Sequence, residues 1–502
     1  MRAAGLPARA IEPVHRASGG NPLFVGELVR LLRARGDVVE RADDLPIPHG
    51  VREVIGERLA LLRAEERVSL EIAAVLGEEH SSTRVARLSG RHAASAESDL
   101  RRGSELGIVA RRGRGRWAFS HDLMREVLLR GLSQEARAEL HARAARAALE
   151  LGEERAGEIA RHLLSAGLAT EAAPHALAAA RRFAEQLAFR EGVELLDRTV
   201  HALEADEAPA RTRCDALLAL GELAPGAGEH ALGRSACARA AELARSLEDP
   251  AALARAALGY GLEVRPGLVD PALVALLREA LDRQPAGERA TRARLQARLA
   301  SALQPAPDPS GPVRLAREAV ELAADLDDRT RLEVAHAAMA ALIDFVPVQD
   351  RVSLDREAAE LATRLGDRLR AMRATLRLAA DYAELGDVTR LAAHAEAYER
   401  LVSPIEMPVH RWPLHAMRAL LAALDGRFEE AGAETERVQA LAAELTMSPA
   451  QLCAPFQRLA LARLAERPAD LATLLEAALG LVEALVPPRP CTPSAARSTA
   501  RW

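Results

Sequence analysis

The apolar positions of this chain follow a helical spacing over most of its length. From Val51 to Leu62 they recur every three or four positions, which places them on one face of a helix. A second stripe of this kind runs from Val68 to Leu76, where Gly77 interrupts it. We therefore predict two consecutive helices in this part of the chain.

Residues 107–121 follow a different pattern, because apolar and polar positions alternate there on both sides of Gly113 and Gly115. This alternation predicts a β-hairpin. Short helices are predicted before and after it, over residues 82–88, 94–106 and 123–132. Helices followed by a hairpin are typical of a winged helix, which we predict for residues 43–140.

An internal repeat is visible beyond about Leu140, where the chain becomes a succession of helices rich in Ala and Leu. The segment EAVELAADLDDRTRLEVA from Glu318 resembles EAAELATRLGDRLRAMRA from Glu357. Further copies begin at Arg239, Arg278 and Glu436. A period of about 40 residues is typical of stacked helix pairs, because one pair cannot bury its own apolar face. We predict a mainly α fold, in which a small winged-helix domain precedes a long tetratricopeptide-like α-solenoid over residues 141–485.

The two ends of the chain differ from this pattern. Residues 1–42 are predicted to form two helices, which SGGNP at 18–22 separates with two glycines and a proline. A Pro-rich linker, ADDLPIPHG, follows at 42–50 and marks the first domain boundary. Residues 486–502 are rich in Pro, Ser and Arg, and we predict a disordered tail there.

Composition narrows the class of protein. Hydrophobic residues make up 49% of the 502 residues and aromatic residues only 3%, so the core must consist mainly of Leu, Ala and Val. The net charge is −5 and opposite charges are interspersed, which gives no general attraction to nucleic acid or to a membrane. Neither an apolar stretch of about 18 residues nor an export signal is present, so we expect a cytoplasmic protein without a membrane partner.

Several kinds of chemistry are excluded by the residue types. All 67 basic residues are Arg, so no lysine can serve a phosphate loop, a Schiff base or a kinase site. The cysteines are far apart and no His cluster has metal-ligand spacing, so we predict no metal site. We predict no catalytic residue and no enzymatic activity. Histidines on the repeat helices are expected to be packed or solvated, namely His162, His175 and His336.

Five segments of the N-terminal region occur in a recognisable order: SGGNPLFVGELVRLL from Ser18, VREVIGERLALL from Val51, AAVLG from Ala73, WAFSHDLMREVLLRGL from Trp117 and RAELHARAARAALE from Arg137. Between Ala17 and Glu150 this order resembles the region that follows the nucleotide-binding core in signal-transduction ATPases with numerous domains (STAND). Among them, the large ATP-binding regulators of the LuxR type are the most similar. The resemblance implies that residues 1–42 are a remnant of the ATPase lid, and that the chain is a regulatory or sensor part of such a protein.

The resemblance also implies roles for three residues. Gly20 and Pro22 match the GxP motif, whose proline packs on the adenine ring, and His121 matches a histidine that touches the terminal phosphate of bound ADP. A rigid apolar ring and an imidazole donor suit these roles. A plain alternative stays open, because Gly and Pro commonly end and begin helices, and Asp122 can stabilise a helix start.

The nucleotide-binding core of the family has no counterpart in this sequence. Family members carry a phosphate loop with a lysine before the GxP motif, whereas Gly20 follows closely on Met1 here and no lysine occurs. We therefore predict no cofactor for the chain alone, and ADP or ATP binding only when another chain supplies the missing core. A shortened or split gene would explain the loss. Candidate partner modules are a separate NTPase, a kinase or a cyclase.

Two functions remain open from the sequence. In the first, the repeats bind a protein or small-molecule signal on the concave face of the solenoid, and the winged helix passes the change to a nucleotide-binding core. In the second, the chain is a free-standing scaffold for protein–protein interaction and binds no nucleotide. DNA binding through RRGRGR at 111–116 is disfavoured, because the preceding helix carries Glu97, Asp99 and Glu105.

Overall fold

The computed structural model describes residue 25 and residues 49–150, 155–262, 269–405, 407–445, 450–466 and 468–485. The predicted lid remnant at 1–42, apart from residue 25, and the predicted tail at 486–502 lie outside the described residues. Within them the protein has 23 α-helices and one three-stranded sheet, so the predicted mainly α fold is confirmed. The chain divides into two compact units, Met1–Leu243 and Ala244–Trp502.

The first unit begins with a segment that mixes helices and strands. Its elements are α1 (His49–Ala60), α2 (Ala64–Leu76), β1 (Glu79–Ser81), α3 (Ser82–Ser89), α4 (Ala93–Glu105), β2 (Val109–Gly113), β3 (Arg116–Phe119), α5 (Asp122–Gly131) and α6 (Gln134–Leu149). The hairpin predicted within residues 107–121 is present as β2 and β3. Strand β1 pairs antiparallel with β3, which gives the sheet order β1-β3-β2. This segment thus contains six α-helices and a three-stranded antiparallel sheet, and the winged helix predicted over residues 43–140 stays a prediction.

A single apolar core holds this segment together. Leu70 of α2, Leu100 of α4 and Met124 of α5 are completely buried in it, and Trp117 of β3 packs beside them. Ser69 donates a buried hydrogen bond of 2.6 Å to a carboxylate on α4. The predicted boundary between the two domains, at residue 140, falls inside α6, which is one continuous helix.

The rest of the chain is helical wherever the structure describes it. The first unit continues with α7 (Ala156–Ser165), α8 (Ala169–Glu185), α9 (Phe189–Ala205), α10 (Ala210–Leu223), a short 3-10 helix (Ala224–Ala227) and α11 (His230–Ser246). The boundary between the units falls within α11. The second unit contains α12 (Pro250–Tyr260), α13 (Pro271–Arg283), α14 (Arg289–Ala302), α15 (Ser310–Ala323), α16 (Asp328–Leu342), α17 (Val348–Arg364), α18 (Arg368–Glu384), α19 (Val388–Val402), α20 (Pro408–Leu424), α21 (Phe428–Ala442), α22 (Ala450–Leu464) and α23 (Pro468–Leu485).

The helices of the second unit form pairs with a nearly constant period. The first helices of the pairs begin at Pro250, Arg289, Asp328, Arg368, Pro408 and Ala450. Their spacing of about 40 residues is the length of a repeat built from two helices. Consecutive helices pack on one another, as α14 does on α15 and α18 on α19. The predicted repeat is therefore confirmed.

Small side chains allow this packing. Ala293, Ala297 and Ala300 of α14 face Ala316 and Ala319 of α15, and all five are completely buried. Alanine has the highest helix propensity and leaves little between two helix backbones, so these faces bring the helices close together. None of the described helices is long and apolar enough to cross a membrane.

The breaks between helices also recur. Gly366 and Gly386 end α17 and α18 with left-handed φ angles of 66° and 71°. Asp367 and Asp387 follow directly, and each carboxylate accepts a hydrogen bond from a backbone N–H in the first turn of the next helix. Glycine adopts a positive φ without strain and aspartate caps helix N-termini, so this dipeptide ends one helix and begins another.

Replacing Gly386 by Ala should lower the free energy of unfolding by about 1 kcal/mol, because a Cβ strains a left-handed residue. Gly432 is a matched control, since it lies inside α21 and an added Cβ would meet no atom within 4 Å. Gly432→Ala should therefore raise the stability by about 0.5 to 1 kcal/mol. Urea denaturation followed by circular dichroism measures both changes. Shifts of the same sign would contradict the helix-ending role of Gly386.

Candidate functional site

His121 is the one sequence-predicted binding residue that can be placed, because Gly20 and Pro22 lie outside the described residues. It directly precedes α5 in an extended backbone conformation and is half-buried. Burial lowers the pKa of its imidazole, and the positive charge of Arg58 on α1 lowers this pKa further. The structure thus places a neutral imidazole beside a cation at the start of α5.

The residues that follow His121 fix the position of α5. The Arg125 Nε donates a 2.9 Å hydrogen bond to the carbonyl oxygen of Ala74, near the end of α2. Its guanidinium lies 3.9 Å from the Asp122 carboxylate, and Glu126 forms an ion pair with an arginine one turn later. The contact with Asp122 is the ion pair that the spacing of these residues indicates, and the hydrogen bond to Ala74 links α5 to α2.

The basic hairpin is partly neutralised by carboxylates of the same unit. Arg116 pairs with Glu79 of β1 at 2.6 Å. Arg111 lies over the ring of Trp117 and 3.6 Å from Glu97 of α4, which also accepts a hydrogen bond from the indole nitrogen. A carboxylate beside the hairpin repels the phosphates of nucleic acid, and the expectation that DNA is not a partner stays a prediction.

A row of basic residues crosses four consecutive first helices of the second unit. We call Arg298 of α14, His336 of α16, Arg373 of α18 and His410 of α20 the basic row; they lie on the first helices of four successive repeats, at the tenth, ninth, sixth and third positions of these helices. Arg373 is exposed, His336 and His410 are half-buried, and Arg298 is buried. Arg373 donates a hydrogen bond of 3.1 Å from Nη1 to Nε2 of His336.

A neighbouring set of positions on the same helices is internally neutralised. Glu333 of α16 lies between Arg294 of α14 and Arg370 of α18, with nitrogen–oxygen distances of 2.6 and 3.9 Å. Arg373, by contrast, has no carboxylate within 4.0 Å among the residues that the structure describes. The positive charge of the basic row is therefore not compensated by an ion pair at Arg373.

The electrostatics of the basic row favour an anionic ligand. Burial lowers the pKa of His336 well below its ordinary value, and the charges of Arg377 and Arg373 lower it further. Burial also lowers the pKa of Arg373, and the charge of Arg370 lowers it further. A carboxylate or phosphate bound at this exposed side chain would pair with its guanidinium.

A pair of buried carboxyl groups lies next to the basic row. Asp355 of α17 and Asp381 of α18 are completely buried, and Arg351 donates to Asp381 at 3.0 Å. Burial raises the pKa of Asp355 to about 7, an effect that nearby Arg377 opposes and the charge of Asp381 supports. Neither carboxylate oxygen of Asp355 has a hydrogen-bond donor in the described part of the chain, so one proton held between the two groups satisfies the pair.

Arg377 connects this pair to the basic row. Its Nη1 lies 4.0 Å from the carboxylate of Asp355 and 3.4 Å from the backbone oxygen of His336, to which it donates. The sequence analysis did not predict the carboxyl pair or its link through Arg377 to His336, because these residues come from three helices and no spacing along the chain marks them. The basic row has no signal in the sequence either, because its members stand at different positions of their helices.

Among the described residues, no group of three or more His, Cys, Asp or Glu could hold a metal ion. Of the repeat histidines, His162 is buried and packed. His336 is half-buried instead, and its ring accepts a hydrogen bond from Arg373 at the surface of the second unit.

Comparisons with known proteins give loose structural likenesses. No protein-family profile matches the chain, and no curated protein matches it in sequence. A STAND protein with a tetratricopeptide repeat sensor from Pyrococcus horikoshii is 12% identical over 88% of this chain and 70% of its own, with a TM-score of 0.38. The apo form of RapI is 10% identical over 62% and 86%, with a TM-score of 0.40.

A Rap protein complexed with competence and sporulation factor is 11% identical over 83% of this chain and 99% of its own, with a TM-score of 0.39.

The raised pKa of Asp355 predicts a pH dependence of stability. Between the ordinary value of 3.8 and about 7, the folded state holds a proton that the unfolded state releases. Stability should therefore fall as the pH rises through this window, by at most roughly 1.4 kcal/mol per pH unit. Asp355→Asn removes the titrating group, so its stability should change less with pH than that of the wild type.

Urea denaturation at several pH values between about 4 and 7 measures the two slopes. Asp344→Asn is the control, since Asp344 is exposed and should leave the wild-type slope unchanged. Equal slopes for the wild type and Asp355→Asn would show that Asp355 does not hold the proton.

Proposed function

We propose that the chain is the signal-binding, non-catalytic portion of a STAND-type regulator, and that its helical repeats bind an acidic segment of a partner protein or peptide. The proposed binding of an acidic segment rests on the basic row, in which one basic residue lies on each of four consecutive helix pairs. The proposed place in a STAND-type regulator is supported by the order of motifs between Ala17 and Glu150.

The spacing of the basic row suits an extended acidic chain. Packed helices lie about 8 to 10 Å apart, and an extended peptide advances roughly 3.3 Å per residue. A carboxylate of such a peptide would pair with Arg373, and the residues three positions before and after it would lie near His336 and His410. Arg373 would form the central contact, because it is exposed and has no carboxylate partner among the described residues.

His121 supports the proposed link to a nucleotide. In the proposed regulator it would face the terminal phosphate, while Gly20 and Pro22 would pack against the adenine of a nucleotide held by a core on another chain. The neutral imidazole beside Arg58 is a suitable neighbour for such a phosphate, since both groups can donate hydrogen bonds to its oxygens.

The alternative is a free-standing scaffold that binds partners and no nucleotide. The basic row serves both functions equally, so the two differ only in the nucleotide-binding core. The sequence encoded immediately before Met1, or by a neighbouring gene, separates them. A phosphate loop followed by an acidic strand end supports the regulator, and absence of both favours the scaffold.

Binding of a fluorescein-labelled hexaglutamate peptide, followed by fluorescence anisotropy, tests the basic row. The chain carries a net charge of −5 and would repel this peptide in general, so binding requires a local basic site. Arg373→Glu should weaken the affinity at least tenfold, because a charge-assisted hydrogen bond of about 1.5 to 3 kcal/mol is replaced by repulsion.

Arg400→Glu is the matched control, since it makes the same charge change on α19, at a site where 72% of the side chain is exposed. Its affinity for the peptide should stay within twofold of the wild type. Equal weakening by both variants, or no binding by the wild type, would contradict a binding role for the basic row.

A further inference from the structure

A polar cavity of about 610 Å³ lies in the first unit, whereas the basic row belongs to the second. Its walls come from the end of α2 and from α5, α6, α7 and α9. This volume is within the range of about 300 to 1,000 Å³ that is usual for small-molecule sites. The cavity therefore has room for a small ligand, and its chemistry is set by the charged groups that line it.

Three arginines from three different helices line this cavity without an ion-pair partner. They are Arg137 of α6, Arg161 of α7 and Arg198 of α9. Each is exposed, and none has a carboxylate within 4 Å in the ranges that the structure describes. Other arginines of this unit, such as Arg84 and Arg91, form ion pairs. The three arginines without an ion pair therefore concentrate positive charge in one cavity.

The carboxylates of the cavity do not neutralise these arginines. Glu126 forms an ion pair within its own helix, and Asp122 lies 3.9 Å from Arg125. Glu158 pairs with two arginines outside the cavity, at positions 84 and 155. Burial opposes ionisation of Glu158, but contacts with His162 and these two arginines outweigh it and lower its pKa to about 2. Every acidic group of the wall is thus already engaged.

A buried histidine adds a polar atom that lacks a partner. His141 of α6 is only 7% exposed, and its Nδ1 lies 2.9 Å from Nδ1 of His162 on α7, so a hydrogen is held between the two rings. The other ring nitrogen of His141, Nε2, is buried without a hydrogen-bond partner among the described residues. Buried polar atoms nearly always have a hydrogen-bond partner. Because His141 lines the cavity, a ligand in the cavity can supply the partner of this nitrogen.

We propose that this cavity binds a small molecule that carries phosphate groups, with Arg137, Arg161 and Arg198 as its anion-binding residues and His141 as a further contact. Arginine binds phosphate through parallel hydrogen bonds, and three guanidiniums from three helices can surround a group with several charged oxygens. The histidine pair is the only ring system of the described wall, so the phosphate groups and not an aromatic base provide recognition.

Burial, His162, Arg137 and Arg125 together lower the pKa of His141 to about 3, so its ring is neutral when the cavity holds no anion. The same two arginines that disfavour a proton on His141 would be neutralised by a bound phosphate. The site belongs to a different unit from the basic row, and the proposal does not depend on the peptide-binding function.

Isothermal titration calorimetry of the full chain with pyrophosphate tests the proposal, with citrate as a polyanion that lacks phosphorus. The wild type should bind pyrophosphate, and at least tenfold more tightly than citrate. Arg137→Gln and Arg198→Gln should each weaken pyrophosphate binding about tenfold, since each removes one charge-assisted contact. Arg161 is left unchanged in this test because it also lines a second cavity.

Arg181→Gln is the matched control, because Arg181 of α8 is an exposed arginine that lines neither cavity. Its pyrophosphate affinity should equal that of the wild type, and circular dichroism should show that all variants are folded. No heat of binding to pyrophosphate would overturn the proposal. So would equally tight binding of citrate, or an equal loss of affinity in Arg181→Gln.

Discussion

The need of each helix pair for its neighbours is the constraint on which the repeat architecture depends. A helix face made of alanines, such as that of α14, gains little by packing on one partner, because a methyl group buries a small area. It gains enough only when another helix covers the remaining apolar side. A nearly constant period follows, since every pair must present the same surfaces to the next. This constraint also places the first helices of successive pairs side by side, so residues of several pairs can form one row.

The repeat and most helix boundaries could be predicted because they depend on local chemistry. Leu and Ala at helical spacing indicate the helices. A glycine followed by Asp367 or Asp387 marks where one helix ends and the next begins. The hairpin around Gly113 could also be predicted, because apolar and polar positions alternate along both strands. Strand β1 was not, since Glu79–Ser81 is very short and forms only by pairing with β3.

The polar sites could not be predicted, because helix packing creates them. His141 and His162 lie on different helices, as do Asp355 and Asp381, so no motif joins either pair. Their chemistry also depends on burial, which a sequence pattern assigns to helix faces and not to single atoms. The resemblance to STAND proteins directed attention to His121, whose environment is consistent with an anion nearby. It gave no indication of the cavity beside α5 or of the basic row.

The contrast between paired and unpaired arginines connects the two proposed sites. The protein has no lysine, so arginine serves both as a structural ion-pair partner and as a ligand contact, and only its surroundings distinguish these roles. Glu333 of α16 lies within ion-pair distance of Arg370 on α18. His336 and Arg373 lie one turn further along the same two helices, but the ring there is neutral and accepts a hydrogen bond from Arg373. Because a neutral ring brings no negative charge, the positive charge of Arg373 stays available for a ligand.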